Sequence, residues 1–260
     1  MRHLPPLLAT TSSGEPHSLP TASREDLLRL RGARVFFAHQ SVGRDIVEGI
    51  PAIYARHGLT PPELAILKRH DASSRWLHVR VGANGDPIGK IEEFDALVRG
   101  HLDPRPDAAL LKLCYSDIRA GSDASEIFAA YRDAMAALSR DHPETAFILT
   151  TVPLTTRRSP AGRLKAGLGR GDRYGPEHNI VRRDFNALVR AHASTRQCVF
   201  DVAAIESTDP DGMRTTGTYR GERYEALARS YAKNPGHLNQ LGRTRAADGL
   251  LATLANAVRT

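Results

Sequence analysis

Short apolar runs alternate with longer amphipathic ones along most of this chain, and no other feature narrows its fold as far. Runs at 34–39, 65–68, 108–114, 146–152 and 198–202 have strand length and are bounded by polar or turn residues. The segments 43–56, 87–99, 122–140, 177–193 and 240–258 carry apolar residues three and four apart, as in IFAAYRDAMAAL and LLATLANAV. That is the spacing of a helix with one buried face. Strand and helix in regular alternation imply a mainly parallel sheet, because parallel neighbours need a crossover and its helices cover both faces. The expected class is α/β, in three layers. In such sheets the ligand crevice lies beyond the carboxyl ends of the strands, so the strand ends are where chemistry is to be sought.

Residues 1–22, rich in Ser, Thr, Pro and Gly and without periodicity, read as a flexible leader. A single domain is expected over 23–260, opening at Ser23 with Glu25 and Asp26 behind it as a helix start. Three inserts interrupt the alternation: 71–86, which holds Trp76 and the run WLHVRVG, the Gly- and Arg-rich 155–174, and the polar 208–220. Hydrophobic residues make up 41% and charged residues 25%, and nothing approaches the ~18 apolar residues of a membrane span. The net charge of +7 raises the question of an anionic partner. Its source is 31 Arg against 5 Lys, scattered in short groups such as Arg157-Arg158 and Arg182-Arg183. With no basic tail, zinc-finger spacing or aromatic-interleaved motif, a nucleic-acid partner is not expected. Cys114 and Cys198 are too few and too far apart for a disulfide framework or a zinc site, and both sit in apolar runs as small hydrophobes. The N-terminus makes a poor signal peptide. The chain reads as cytoplasmic as it stands, and as secreted or periplasmic if a signal peptide has been trimmed; oligomeric state is open.

Three strand ends carry candidate chemistry. The first ends in AHQSVGRDI, which places Ser41 at the start of a helix, where outward N–H groups and partial positive charge favour a developing oxyanion. Serine is also a preferred helix N-cap, and on this stretch alone both readings stand. The second is VGANGDPIGKIEEF, where Gly82, Gly85 and Gly89 allow close backbone approach and Asp86-Pro87 starts a helix. The third is KNPGHLNQLG, where His237 lies in a Pro-Gly loop just before the last amphipathic helix.

Serine after the first strand, a glycine turn in the middle and GHLN before the last helix come in an order that resembles the SGNH hydrolases, the GDSL-like esterases and lipases. The likeness is to a bacterial branch whose first block reads HQSVG. It covers FFAHQSVG, NGDP with KIEEF, LLKLCYSDI, FILTTVPLT, FDVAAIES and GHLNQLG. The resemblance implies a three-layer α/β/α sandwich with a mainly parallel, flavodoxin-like five-stranded sheet. It implies Ser41 as nucleophile, His237 as general base and Gly85 as an oxyanion donor beside the Ser41 N–H, with Gly82 and Gly89 as alternative matches. Where the family carries an oxyanion Asn at the end of its third block, this chain has Ser116, and Asn84 is a second source of an amide. Where the family places an aspartate three residues before the histidine, this chain has Asn234. In a well-studied serine protease the corresponding change costs ~10⁴ in turnover, because the amide favours the wrong tautomer. Asp201 and Glu206 are the other acids that could serve. The activity implied is hydrolysis of a small acyl ester, acetyl first, on a small molecule or a glycan, by an acyl-enzyme route without metal or organic cofactor. The competing reading is a carbohydrate-binding or accessory protein that keeps the fold with catalysis weakened or lost.

Overall fold

The computed structural model describes residues 19–67, 74–158, 174–193 and 198–258. Its elements run α1 (Arg24–Gly32), β1 (Val35–His39), α2 (Val42–Arg56), β2 (Leu64–Ile66), β3 (Trp76–Arg80), α3 (Pro87–His101), β4 (Ala108–Leu111), α4 (Ala124–Asp141) and β5 (Ala146–Thr150). There follow α5 (Pro176–His192), β6 (Val199–Phe200), α6 (Val202–Ser207), the hairpin β7 (Thr216–Tyr219) and β8 (Glu222–Glu225), the pair β9 (Ala232–Asn234) and β10 (His237–Leu238), and α7 (Gln240–Ala257). The expected leader lies outside the described residues as far as residue 18. Its last residues are packed rather than loose: Leu19 rests on the core, and the buried Ala22 donates its N–H to Asp248 Oδ1 at 2.8 Å. Ser23 then caps α1 in a reciprocal box with Asp26.

The sheet is parallel in the order β2-β3-β1-β4-β5-β6. It has six strands, not the five expected. The additional one is β3, hidden in WLHVR, where His78 and Arg80 interrupt the apolar run. Trp76 and Leu77 nevertheless bury, and the Trp76 indole N–H donates to Leu30 O at 3.0 Å. Taken without the three-residue edge strand β2, the order β3-β1-β4-β5-β6 is the flavodoxin-like one. The polar insert 208–220 likewise holds a strand, β7, and the insert 155–174 is described only at its two ends.

All five residues of β1 are buried, as a central parallel strand covered on both faces requires. Val35 and Phe37 enter the core shared with α1, α2 and α7, while Phe36 and Ala38 face α3, α4 and α5, with Phe36 stacked on Phe94. A fully buried Phe side chain contributes about 2–3 kcal/mol, so the middle of the sheet anchors whatever follows it. The order of the strands reverses between β1 and β4, and the loops after these two strands carry Ser41 and Ser116.

Candidate active site

The chain leaves β1 through His39 and Gln40, both buried, and turns at Ser41 with φ 41° and ψ −98°. A non-glycine residue at positive φ is uncommon and costs on the order of 1–3 kcal/mol, so the surroundings must hold it there. Gln40 Nε2 donates to the carbonyls of Val81 (2.9 Å) and Gly82 (2.7 Å), binding this turn to the end of β3. Gly43 packs on His39 so tightly that a Cβ would lie 2.3 Å from the His39 Cβ; only glycine fits there. Ser41 stands at the N-cap of α2, yet its side chain makes no capping bond. The hydroxyl instead lies 2.5 Å from His237 Nε2, and the Ser41 N–H has no acceptor among the described residues.

His237 stands on β10, paired with Asn234 of β9 across the turn Asn234-Pro235-Gly236-His237. Asp45, in the first turn of α2, accepts the Leu238 N–H at 3.2 Å and an Arg243 guanidinium bond at 2.7 Å. The helix that follows the serine therefore grips the strand that carries the histidine. The Tyr115 ring meets the imidazole edge-on, and Gly236 lies against that ring with no room for a Cβ.

Asn234 Oδ1 lies 3.0 Å from His237 Nδ1 and also accepts the Gly236 N–H at 3.1 Å. A backbone N–H can only donate, so the amide atom facing it must be the oxygen. The same oxygen then accepts from Nδ1–H, which leaves the Nε2 lone pair directed at Ser41. The wrong-tautomer cost of an amide in this place is avoided, although the amide supplies no negative charge. Neither alternative acid bonds His237. Asp201 caps α6 and pairs with Arg190 at 2.7 Å. Glu206 is fully buried, accepts the Leu154 N–H at 2.6 Å, and is pushed up to about 8 by burial.

The expected oxyanion glycine requires a correction. Gly85 does sit at positive φ in the loop after β3, but its N–H donates to Asp117 Oδ1 at 2.8 Å. Gly82 and Gly89 are engaged as well, by Glu93 and by Asp86. Asp117 takes the Gly85 N–H because it is buried in the β4 loop and gathers donors: Cys114 N–H at 2.6 Å and the ammonium of Lys90 at 2.7 and 2.8 Å. Lys90 and Asp117 are both fully buried, so the pair is a polar weld between the two loops. Lys90 also donates to Asn84 Oδ1 at 3.3 Å, which turns the Asn84 NH₂ away from the lysine. The Ser116 hydroxyl is buried without a partner among the described residues. Of the expected donors, the Ser41 N–H and the Ser116 hydroxyl have no hydrogen-bond partner among the described residues, and the Asn84 NH₂ faces away from Lys90.

Sequence reasoning missed Gln40, Asp45, Lys90, Asp117 and Arg182. The last is fully buried and donates to the carbonyls of Tyr115 and Ile118, which fixes the β4 loop from below. Their common signal is a charged or amide residue in a segment otherwise patterned for burial. Among the described residues no group of three or more His, Cys, Asp or Glu side chains could hold a metal ion, and no helix is long and apolar enough to cross a membrane.

No protein-family model and no curated protein matches the chain. Among solved structures it is similar to a protein from Streptococcus pneumonia described as a platelet activating factor (15% identity, 87% of this chain and 90% of that one, TM-score 0.49). A second is a protein from Desulfitobacterium hafniense DCB-2 described as a lipolytic protein of the G-D-S-L family (12% identity, 85% and 99%, TM-score 0.45). A third is TesA (11% identity, 86% and 99%, TM-score 0.48).

Proposed function

We propose that this protein is a serine ester hydrolase acting on a small acyl group, acetyl first. The observation that carries the reading is the Ser41 Oγ to His237 Nε2 hydrogen bond of 2.5 Å, with the far side of the ring held by the oxygen of Asn234. Ser41 Oγ attacks the ester carbonyl as its proton passes to Nε2, and the developing oxyanion lies against the Ser41 N–H with Ser116 and Asn84 as further donors. The ester C–O bond then breaks, and Nε2 returns the proton to the departing alcohol. A water, deprotonated by the same nitrogen, attacks the acyl carbon and releases the carboxylic acid and free Ser41. Asn234 acts as a positioning residue that keeps the proton on Nδ1.

The accessory-protein reading rests on Asn234 and Ser116 standing where family members carry other residues. It weakens once the amide oxygen, not its nitrogen, faces the ring. Acetylated sugars belong in the substrate panel beside simple esters. Purified protein is expected to hydrolyse p-nitrophenyl acetate, and Ser41→Ala is expected to lower the rate by at least ~10³. Wild-type turnover in that variant would remove the proposal.

A further inference from the structure

One arginine-lined concavity lies against the histidine hairpin. It has a volume of about 550 Å³ and is lined by Arg157 and Arg158 from one segment and by Leu227, Ala228, Arg229 and Ser230 from another. Both segments connect to the hairpin of His237. The Thr156 N–H, next to Arg157, donates to the carbonyl of Pro235 at 2.9 Å, within the turn that presents His237. Leu227 donates to Thr155 O at 3.1 Å, and the chain beyond Ser230 runs directly into β9. The segments that line the concavity are therefore bonded to, or run into, the hairpin that carries His237.

Its charge is unbalanced. Arg158 pairs with Glu177 at 2.9 Å. Arg157 and Arg229 are exposed and have no carboxylate partner among the described residues. The single acid in the lining, Asp209, turns one oxygen to the N–H groups of Asp211 and Met213. Two exposed guanidinium groups at one groove, with hydroxyls from Thr215 and Ser230 beside them, suit an oxyanion that accepts two or more charge-assisted bonds.

We infer that this groove binds an anionic group, carboxylate or phosphate, on the alcohol part of the ester. The placement on the alcohol follows from the mechanism. The nitrogen that returns the proton must face the leaving oxygen, so the departing alcohol lies on the His237 side, and the turn that presents His237 is bonded through Pro235 to the segment that carries Arg157. The inference rests on the esterase reading, which it deepens by assigning a charge to the substrate.

Three acetyl esters of matched shape test it: 4-acetoxybenzoate, 4-acetoxyphenyl phosphate and the neutral 4-acetoxybenzamide. At low ionic strength the charged esters are expected to show kcat/KM at least ~10-fold above the amide, expressed in KM and shrinking as salt is added. Arg157→Ala/Arg229→Ala is expected to raise KM for the charged esters and bring the ratio close to one. Arg132→Ala, which removes a partly exposed arginine beside Asp133 on α4, should keep it. The carboxylate and phosphate arms decide between the two anions. A wild-type ratio near one, or a ratio intact in the double variant, overturns the inference. Calorimetry with phenyl phosphate separates this failure from that of the esterase reading. Binding lost in the double variant while no ester is cleaved sustains the groove and removes the esterase; cleavage without phenyl phosphate binding does the reverse.

Discussion

Ser41 and His237 reach one hydrogen bond from opposite kinds of structure. The serine leaves a strand buried on both faces, and its neighbours His39 and Gln40 are buried too. Its positive φ is held by the packing of Gly43 on His39 and by the Gln40 amide bonded to the carbonyls of Val81 and Gly82. The histidine stands on a two-residue strand facing a partner whose Lys233 and Asn234 are exposed, and what holds it is a short set of hydrogen bonds, Leu238 N–H to Asp45, Gly236 N–H to Asn234 and Asn239 N–H to Tyr231 O, with the Tyr115 ring edge-on to the imidazole. The proposed nucleophile is thus positioned mainly by buried neighbours, whose packing changes little unless volume changes. The proposed base is positioned mainly by polar contacts that one atom exchange can undo. Substitutions in the first arm should damage fold and activity together, and substitutions in the second should damage activity with the fold intact.

The largest effect is expected at Gly43. Alanine there would place a methyl 2.3 Å from the His39 Cβ, against side chain and backbone that are both fixed in the core. Overpacking of this sort costs about 1–3 kcal/mol or more. Thermal denaturation should show a lower Tm, and esterase activity should fall with it, because relief of the clash moves Ser41. A variant with unchanged Tm and activity would break the contrast between the arms.

Asn234→Leu should come next, with the opposite signature. It removes the acceptor for Nδ1–H while leaving an exposed hairpin position, so kcat is expected to drop by ~10² with Tm nearly unchanged. Asn234→Asp keeps the acceptor and adds the charge that stabilises the imidazolium, and kcat should rise. A fall in the Asp variant would mean that the amide is not placed as a carboxylate would be.

The smallest effect is one of pH, confined to the packed arm. His39 is pushed down to about 3, first by burial and then by the charges of Lys112, His78 and Arg80, and His78 is lowered as well, chiefly by burial. The folded state keeps His39 neutral while the unfolded chain protonates near 6.5. Its contribution to stability is therefore complete above about pH 6.5 and is lost as pH falls from there towards 3. Denaturant midpoints between pH 7 and 4.5 should decline more steeply for wild type than for His39→Gln, and equal slopes would count against it.

What could be read from sequence follows the same division. Packing leaves a period, so the helices at 43–56 and 87–99 and the strand before Ser41 were legible to within a few residues. The exception, β3, was masked because His78 and Arg80 are polar residues in a strand, one of them bonded to His39. Polar positioning leaves no period. Nothing in KNPGH shows that the Gly236 N–H would turn the Asn234 oxygen towards the ring. Nor does NGDP show that Asp117 would take the Gly85 N–H. The resemblance supplied a donor at Gly85, and a buried Lys90–Asp117 pair built from two separate segments displaced it.

The central claim is that His237, oriented by an amide, activates Ser41. A fluorophosphonate probe measures this on the intact protein at neutral pH, with the adduct located by mass. Wild type is expected to acquire one adduct, on Ser41, and His237→Ala none over the same interval. An unmodified Ser41 in wild type, or equal labelling in the two proteins, would contradict it.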